Sequence, residues 1–462
     1  MNNANNTDPA RTSPAATLFV VSAVQFLAPF MMSAVGVALP TIGRFYGASA
    51  FSLGLVEMVY ILAVTLFLLP MGRLADIVGR KKIFIAGVAL FTIATAMLPF
   101  APTIETFIAF RFLQGIGSSC NISTSIAILS AVFPQKTRGR AMGVIVACVY
   151  LGLSAGPTLA GLMITYLGWQ WIFFVAVPIA LCALSLAAIR LKGEWKGAEG
   201  KAFDGIGSVI YMISLFCLIV GISHLKEGTW ALVSMATGMA GLIGFAVFEF
   251  NHRSPILDMR LLLGNRTLAF SNIATWINYA ASFGLTFFFS LYLQVVKGLS
   301  PQATGLLLIV QPLIQAVLSP VAGILADRRS PSKMATLGMA TCALGLGIAA
   351  FIGQDSQVPH VILVMVVMGI GFAAFASPNM ATIMGSVEPR HYGIASSLVA
   401  TMRSVGMLTA MTIITVLLGM FMGDAEVSAA TIPGFLQTMH TGFVAFAVMN
   451  LVGIGFSMAR VS

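Results

Sequence analysis

The chain has 462 residues, 58% of them hydrophobic and 9% charged, with a formal net charge of +10. A soluble protein of that length would clothe its core in far more Asp, Glu, Lys and Arg, so lipid replaces water around most of this surface. The basic residues follow the loops instead of forming one patch, which argues against nucleic acid as a partner; Cys120, Cys148, Cys182, Cys217 and Cys342 fall in apolar stretches without C-x-x-C spacing, which suggests neither a disulfide framework nor a metal site.

Crossing about 30 Å of hydrocarbon takes about 20 apolar residues. After a polar tail at 1-16, read as cytoplasmic, that rule places spans 1 to 6 near 17-40, 51-71, 83-102, 104-132, 141-165 and 169-189, a first six-helix bundle at 17-189. The first run lacks a small-residue cleavage site behind it and reads as a span, not a removable signal. A cytoplasmic loop at 190-204 leads to spans 7 and 8 near 205-225 and 231-250, an inserted pair at 205-250. A second cytoplasmic loop at 251-266 precedes spans 9 to 14 near 267-296, 303-326, 333-352, 360-386, 392-421 and 441-459, a second bundle at 267-462.

Charge tests this count independently. With a cytoplasmic N-terminus, the inner side receives Arg11; Arg73, Arg80, Lys81 and Lys82; Lys136, Arg138 and Arg140; Arg190, Lys192, Lys196 and Lys201; Arg253, Arg260 and Arg266; Arg328, Arg329 and Lys333; Arg390; and Arg460. The outer side receives Arg44, Lys226 and Lys297, and Arg111 and Arg403 stay within spans, a division that fits both termini inside. The chain also repeats itself at nearly constant separation. Gly72-Arg73-Leu74-Ala75-Asp76 recurs as Gly323-Ile324-Leu325-Ala326-Asp327, Gly115-Ile116-Gly117 as Gly369-Ile370-Gly371, and Gly139 with Gly152 as Gly393 with Gly406. Spans 1 to 6 therefore match spans 9 to 14, the layout of transporters built from parallel repeats.

On these residues the chain resembles the major facilitator superfamily, and within it the fourteen-helix drug:proton antiporters. Gly72-Arg73-Leu74-Ala75-Asp76-Ile77-Val78-Gly79-Arg80-Lys81-Lys82, read as the loop between spans 2 and 3, is similar to the superfamily's signature there. Arg111-Phe112-Leu113-Gln114-Gly115-Ile116-Gly117 resembles its span 4 motif, and Gly152-Leu153-Ser154-Ala155-Gly156-Pro157-Thr158-Leu159-Ala160-Gly161 the span 5 motif associated with antiporters. Leu291-Tyr292-Leu293-Gln294 through Gly298-Leu299-Ser300-Pro301 also looks like the fourteen-helix branch. The resemblance implies an all-α membrane fold of two pseudo-symmetric six-helix bundles plus two inserted helices, with proton-coupled efflux of lipophilic, cationic drugs by alternating access. It assigns Gly72, Asp76, Gly79, Arg80 and Lys81 to a cytoplasmic gate that stabilises the outward-facing state. For Lys81 and Lys82 topological anchoring is an alternative. Gly152, Gly156 and Gly161 allow close helix crossing and Pro157 bends span 5, a hinge or seal on one reading and generic packing on the other.

Among the acids, Glu57 alone is embedded, six residues into span 2 and about 9 Å from its outer end at about 1.5 Å per residue. Burial disfavours a charged carboxylate, so Glu57 can carry a proton. Arg111 lies at similar depth in span 4. Either the two are coupled, with protonation of Glu57 freeing Arg111 and a cationic substrate competing for the carboxylate, or they form a static ion pair. Span 1 carries no acid, whereas many antiporters of this type have one there. Arg403 either faces the cavity to meet an anionic group or bonds backbone carbonyls.

The superfamily resemblance implies that spans 1, 4, 9 and 12 surround the pathway. Helical spacing then groups Gln25, Pro29 and Met32; Arg111, Gln114, Ser118, Asn121 and Ser125; Asn272, Trp276, Tyr279 and Phe283; and Phe372, Phe375 and Asn379 as candidate lining faces. Aromatic faces suit flat lipophilic cations, although any one ring serves equally well in packing or against lipid. No G-x-x-x-x-G-K-[ST] loop occurs, so a proton gradient, with no bound cofactor, is the expected energy source. One proton moving through about 100 mV contributes about 2.3 kcal/mol, with about 1.4 kcal/mol more per pH unit. The rivals are an exporter of an anionic metabolite using Arg111 and Arg403, an importer, and a non-transporting membrane sensor or enzyme. His224, His252, His360, His391 and His440 show no ligand spacing, and no catalytic constellation is present. The expected setting is a bacterial cytoplasmic membrane, with small molecules, protons and lipid as partners and a monomer as the working unit.

Overall fold

The structure, a computed structural model, describes residues 13–196, 202–225, 228–252, 254–328, 330–388, 392–423, 425–427 and 429–460. Most of the 1-16 tail and the middle of the 190-204 loop lie outside that set. The described residues form helices and no strand, because in lipid a helix satisfies its own backbone groups. Fourteen helices are long and apolar enough to span: α1 (Pro14–Tyr46), α2 (Ala50–Val78), α3 (Arg80–Phe100), α4 (Ile104–Val132), α5 (Gln135–Tyr166), α6 (Trp171–Arg190), α7 (Gly205–Ser223), α8 (Thr229–Asn251), α9 (Arg266–Val296), α10 (Pro301–Ala326), α11 (Pro331–Ala350), α12 (Val358–Gly385), α13 (Tyr392–Phe421) and α14 (Ile432–Ala459). Several start where a short polar side chain accepts an otherwise orphaned N–H: Ser49 from Ser52 at 3.2 Å, Thr103 from Thr106 at 3.3 Å, Asn265 from Leu268 at 2.9 Å and Ser300 from Ala303 at 3.1 Å.

All fourteen expected spans are present, and the ends differ where polar residues belong to a helix. The Gly72 to Lys82 motif is helical rather than a loop, interrupted only at Gly79, whose φ of 134° suits glycine alone. The apolar run ends before Arg73, but Arg, Leu, Ala and Asp are all compatible with a helix emerging at the headgroups. Helix α14 begins at Ile432 and not near 441, because Thr438 bonds back to Gly434 O at 2.9 Å and His440 bonds Ala350 O at 2.7 Å, which satisfies both polar groups inside the fold.

Packing repeats the duplication. Helix α1 lies on α5 and α6, α2 and α3 on α4, and α3 on α6; the same pairs recur as α9 on α13 and α14, α10 and α11 on α12, and α11 on α14. Between bundles α2 meets α13, its symmetry-related counterpart α10 meets α5, and α1 meets α9. The inserted helices pack on each other, and α7 also touches both α2 and α13.

The described hydrogen bonds between bundles sit at mid-depth or toward the end remote from Gly79, here called the far end; the Gly79 end is the basic end. Ser290 Oγ donates to Gly36 O at 2.7 Å, Gln294 Nε2 to Val37 O at 2.9 Å, and the Ala50 N–H to Ala425 O at 3.0 Å. Gln294 stands on a π-helical turn, Tyr292–Val296, and reaches across the interface from it. Close backbone approach completes the seal: a Cβ at Gly305 would strike the Pro157 carbonyl, one at Gly161 the Pro301 carbonyl, and one at Gly54 the Thr415 side chain. Gly305→Val should therefore weaken the far-end seal by about 1–3 kcal/mol, the usual cost of overpacking. In a chain cleared of its five cysteines, a Cys at Ser290 should then label faster with an impermeant thiol reagent; an unchanged rate would remove the α5–α10 contact from the seal.

Candidate functional site

Helix α4 is pressed between α2 and α3 because Gly115 meets the Tyr60 carbonyl and Gly117 meets the backbone of Phe91. That approach encloses Arg111, which is 0% exposed, and Glu57, which is 3% exposed. Arg111 Nη2 stands 3.3 Å from Glu57 Oε2, Nη1 donates to Gln114 Oε1 at 2.6 Å, and Nε donates to Val56 O at 3.3 Å. Its guanidinium lies over the Tyr60 ring at 4.2 Å, and Tyr60 OH pairs with Ser118 Oγ at 2.8 Å. Gln114 Nε2 continues the chain to Thr95 Oγ1 of α3 at 2.8 Å. A buried ion pair holds only when its remaining donors and acceptors are matched. Arg111 is well supplied, whereas Glu57 Oε1 has no donor, so the carboxylate is the member that a proton would relieve.

The polar face of α4 thus turns into its own bundle. Gln114 and Ser118 bond α3 and α2, and Asn121 lies against Gly87 of α3, beside a small void edged by Val24, Val88, Phe91 and Ala180. Expected to line the pathway between the bundles, the three make no hydrogen bond to the second bundle among the described residues. Spacing shows which residues share a face, and Gly115 and Gly117 decide where that face points.

Helix α5 uses its glycines in two directions. Gly152 and Gly156 seat it on α1 at Phe26, Phe30 and Ser33, while Pro157 and Gly161 face α10 of the other bundle. On α1, Gln25 is buried and Met32 half-buried. In the second bundle Trp276, Tyr279 and Phe283 are half-buried; Trp276 Nε1 donates to Thr409 Oγ1 at 3.1 Å, and Tyr279 meets Phe372 edge-on at 4.9 Å. Asn379 is turned away from them: it donates to Thr275 Oγ1 at 2.8 Å and accepts from Arg460.

Two groups escaped sequence reading. Tyr150 of α5 faces the other bundle, where Gln315 Nε2 donates to its OH at 3.5 Å and Tyr279 and Arg403 lie within electrostatic reach. Arg403 is half-buried and, among the described residues, has no carboxylate partner. Arg460, assigned by sequence to the inner surface, is 5% exposed and bonds Ser332 Oγ at 3.1 Å, Ser271 Oγ at 3.2 Å and Ser457 Oγ at 2.8 Å. A tyrosine in an apolar run signals nothing by itself, and an arginine at a helix end looks the same whether it faces water or folds back.

At the basic end Asp76 pairs with Arg80 at 2.8 Å. The segment after α6 clasps this motif: Lys81 N–H donates to Glu194 Oε1 at 2.8 Å, Arg80 N–H donates to Trp195 O at 3.0 Å, and Glu194 fills the space a side chain at Gly79 would need. Gly72 faces Ser123 of α4. These contacts stay within the first bundle and the segment that follows α6.

Twelve spanning helices in two matched bundles with an inserted pair, the bundles sealed together at one end around half-buried aromatic and polar side chains, define a multi-pass membrane transporter. The model of the Major Facilitator Superfamily matches residues 21–248 and 271–461, and the chain belongs to that family. It is 27% identical over 388 residues to the riboflavin transporter RibZ of Clostridioides difficile, covering 84% of each chain. It is 31% identical to the multidrug resistance protein B homolog of Mycobacterium tuberculosis, covering 80% of this chain and 70% of that one. Its fold is similar to a solved bacterial homolog of the human lysosomal transporter Spinster in an inward-facing, unoccupied conformation, with TM-score 0.68 and 15% identity over 98% of both chains. Family and relatives are transporters, not enzymes.

Arg111→Ala should strand a buried carboxylate and cost about 3–5 kcal/mol. Thermal melting in detergent should show part of that loss restored when Glu57→Gln is added. If the double variant melts no higher than Arg111→Ala, the two side chains do not act as a pair.

Proposed function

We propose that this chain exports flat aromatic compounds by alternating access, driven by protons. The observation that carries the reading is the mid-depth group drawn from both bundles, Tyr150, Gln315, Tyr279 and Arg403, lying beneath a far-end seal. With the basic end placed in the cytoplasm, as the charge distribution supports, this arrangement is the inward-facing state. In the opposite state the Asp76 motif would take up contacts across the basic end, the gating role proposed for Gly72, Asp76, Gly79, Arg80 and Lys81.

Glu57 is the proposed proton carrier and Arg111 its counter-charge. Helix α2 supports the coupling because the same stretch that bears Glu57 also builds the seal: Gly54 meets Thr415, and Met58 Sδ accepts from Thr412 at 3.8 Å. Protonation removes the attraction that seats α2 on α4, and a shift of α2 is transmitted directly to α13. A substrate in the inward-facing cavity cannot compete for Glu57, which is sealed inside the first bundle, so coupling passes through helix movement and not through exchange on one carboxylate. Among the described residues, the charged side chain in this group is Arg403, whose guanidinium favours neutral or anionic aromatic compounds. Lipophilic cations are the second reading, supported by Trp276, Tyr279 and Phe283 as cation-π surfaces. The site needs no cofactor beyond the proton gradient, and we propose a monomer in a bacterial cytoplasmic membrane with both termini inside.

Proteoliposomes with an imposed pH gradient test this. Wild type should accumulate aromatic solutes against their gradient. Glu57→Gln should lose gradient-driven accumulation yet retain substrate exchange, and full retention of pH-driven uptake would end the coupling role. Arg403→Ala should lower uptake of anionic aromatics about tenfold or more, the value of one charged hydrogen bond, and leave cations unchanged. Preferential loss of the cations would reverse the assignment.

A further inference from the structure

The inserted pair closes at the basic end on two carboxyl groups that transport as described above does not use. Asp204 caps α7, its Oδ1 accepting the Gly207 N–H at 2.8 Å, and Glu249, in the last turn of α8, accepts the Leu257 N–H through Oε2 at 3.1 Å. One oxygen of each is accounted for. The other two, Asp204 Oδ2 and Glu249 Oε1, have no donor, and both converge on the open side of Gly207, where a Cβ would strike them together. The residues are 4% and 1% exposed.

Among the described residues, no Lys or Arg side chain pairs with either oxygen. His252 Nδ1 lies 4.0 Å from Asp204 Oδ2, beyond hydrogen-bond distance and an ion-pair partner only when its ring is protonated. Arg260 is committed to Phe250 O at 2.8 Å, and Asp258 accepts the Leu261 N–H at 2.9 Å. No set of three described His, Cys, Asp or Glu residues could hold a metal ion. Two ionised carboxylates cannot share a dry space without a cation, whereas a single proton turns one of the facing oxygens into a donor and satisfies both.

We propose that Asp204 and Glu249 form a proton-binding site, with one proton held between Oδ2 and Oε1, and that this bond latches α7 to α8 at the cytoplasmic end. Loss of the proton places two charges in the gap and frees the first turn of α7. That helix reports to both bundles: Tyr211 OH donates to Thr65 O of α2 at 3.0 Å, and Ser223 Oγ reaches Met58 Sδ at 3.8 Å, the sulfur that also accepts from Thr412 of α13. The pair is therefore a cytoplasmic proton sensor placed on the interface that must move in transport. It stands apart from Glu57, which lies toward the opposite end of the membrane, and is independent of the substrate assignment.

The test is infrared spectroscopy of the full-length protein in detergent, joined with hydrogen exchange along α7. Wild type should show a protonated-carboxyl stretching band that shifts in heavy water, and the wild-type-minus-variant difference should assign one such band to Glu249→Gln and the same band to Asp204→Asn, which keeps a capping oxygen. Protection of the Gly207 and Ser208 amides, corrected for intrinsic exchange, should fall about tenfold per pH unit once the proton is lost, the signature of one linked proton. Because the stability held by the proton is present at low pH and lost as pH rises, the fall must occur on the alkaline side. Glu249→Gln, which carries its donor permanently, should remove that dependence. His252→Ala should leave it in place. An identical infrared spectrum in both carboxyl variants, a pH course unchanged by Glu249→Gln, or a course abolished by His252→Ala would each overturn the proposal.

Discussion

Arg111 has no route to water, and the interior of the first bundle is organised around that fact. Its nitrogens are met by Glu57, Gln114 and Val56, its face by Tyr60, and Gln114 and Tyr60 are met in turn by Thr95 and Ser118. A bilayer offers no replacement for any of these partners, so α2, α3 and α4 are held by one polar network as much as by apolar packing. Within it the unpaired oxygen of Glu57 is the place where a proton relieves an unmet acceptor while weakening the pull on Arg111. A network satisfied everywhere except at one carboxylate is poised to respond to that proton.

The same constraint explains what the sequence did and did not disclose. Spans, insertion and duplication are visible in it because hydrocarbon demands long apolar runs and glycine-dense contacts leave a repeated pattern. Gly152 under the Phe26 carbonyl has its counterpart in Gly406 under that of Trp276, and Gly115 against Tyr60 has its counterpart in Gly369 against Gln311. Direction is another matter. Gln114, Ser118, Asn121 and Asn379 share faces as their spacing requires, yet those faces turn to neighbouring helices, because in a membrane a polar side chain finds its partner on whichever helix comes closest. Arg460 and Gly79 show the limit at helix ends: both fall where apolarity stops, and apolarity does not say whether the chain leaves the fold there or continues in it.

Symmetric packing and asymmetric charge divide the work between the halves. The repeat sets Glu57 against Leu308 and Arg111 against Met365, both buried apolar residues, so the ion pair has no counterpart in the second bundle. That bundle carries Arg403 instead, at a depth where the first has Val149. The seals, by contrast, follow the symmetry: α2 on α13 through Gly54, and α10 on α5 through Gly305. Two symmetry-related seals suit the proposed rocking of the bundles about a common axis. Unequal charge gives that rocking a sign. On the proposed mechanism a proton acts on one bundle and a substrate is held mainly by the other, and the contact of α2 with α13, where α7 also rests, links the two.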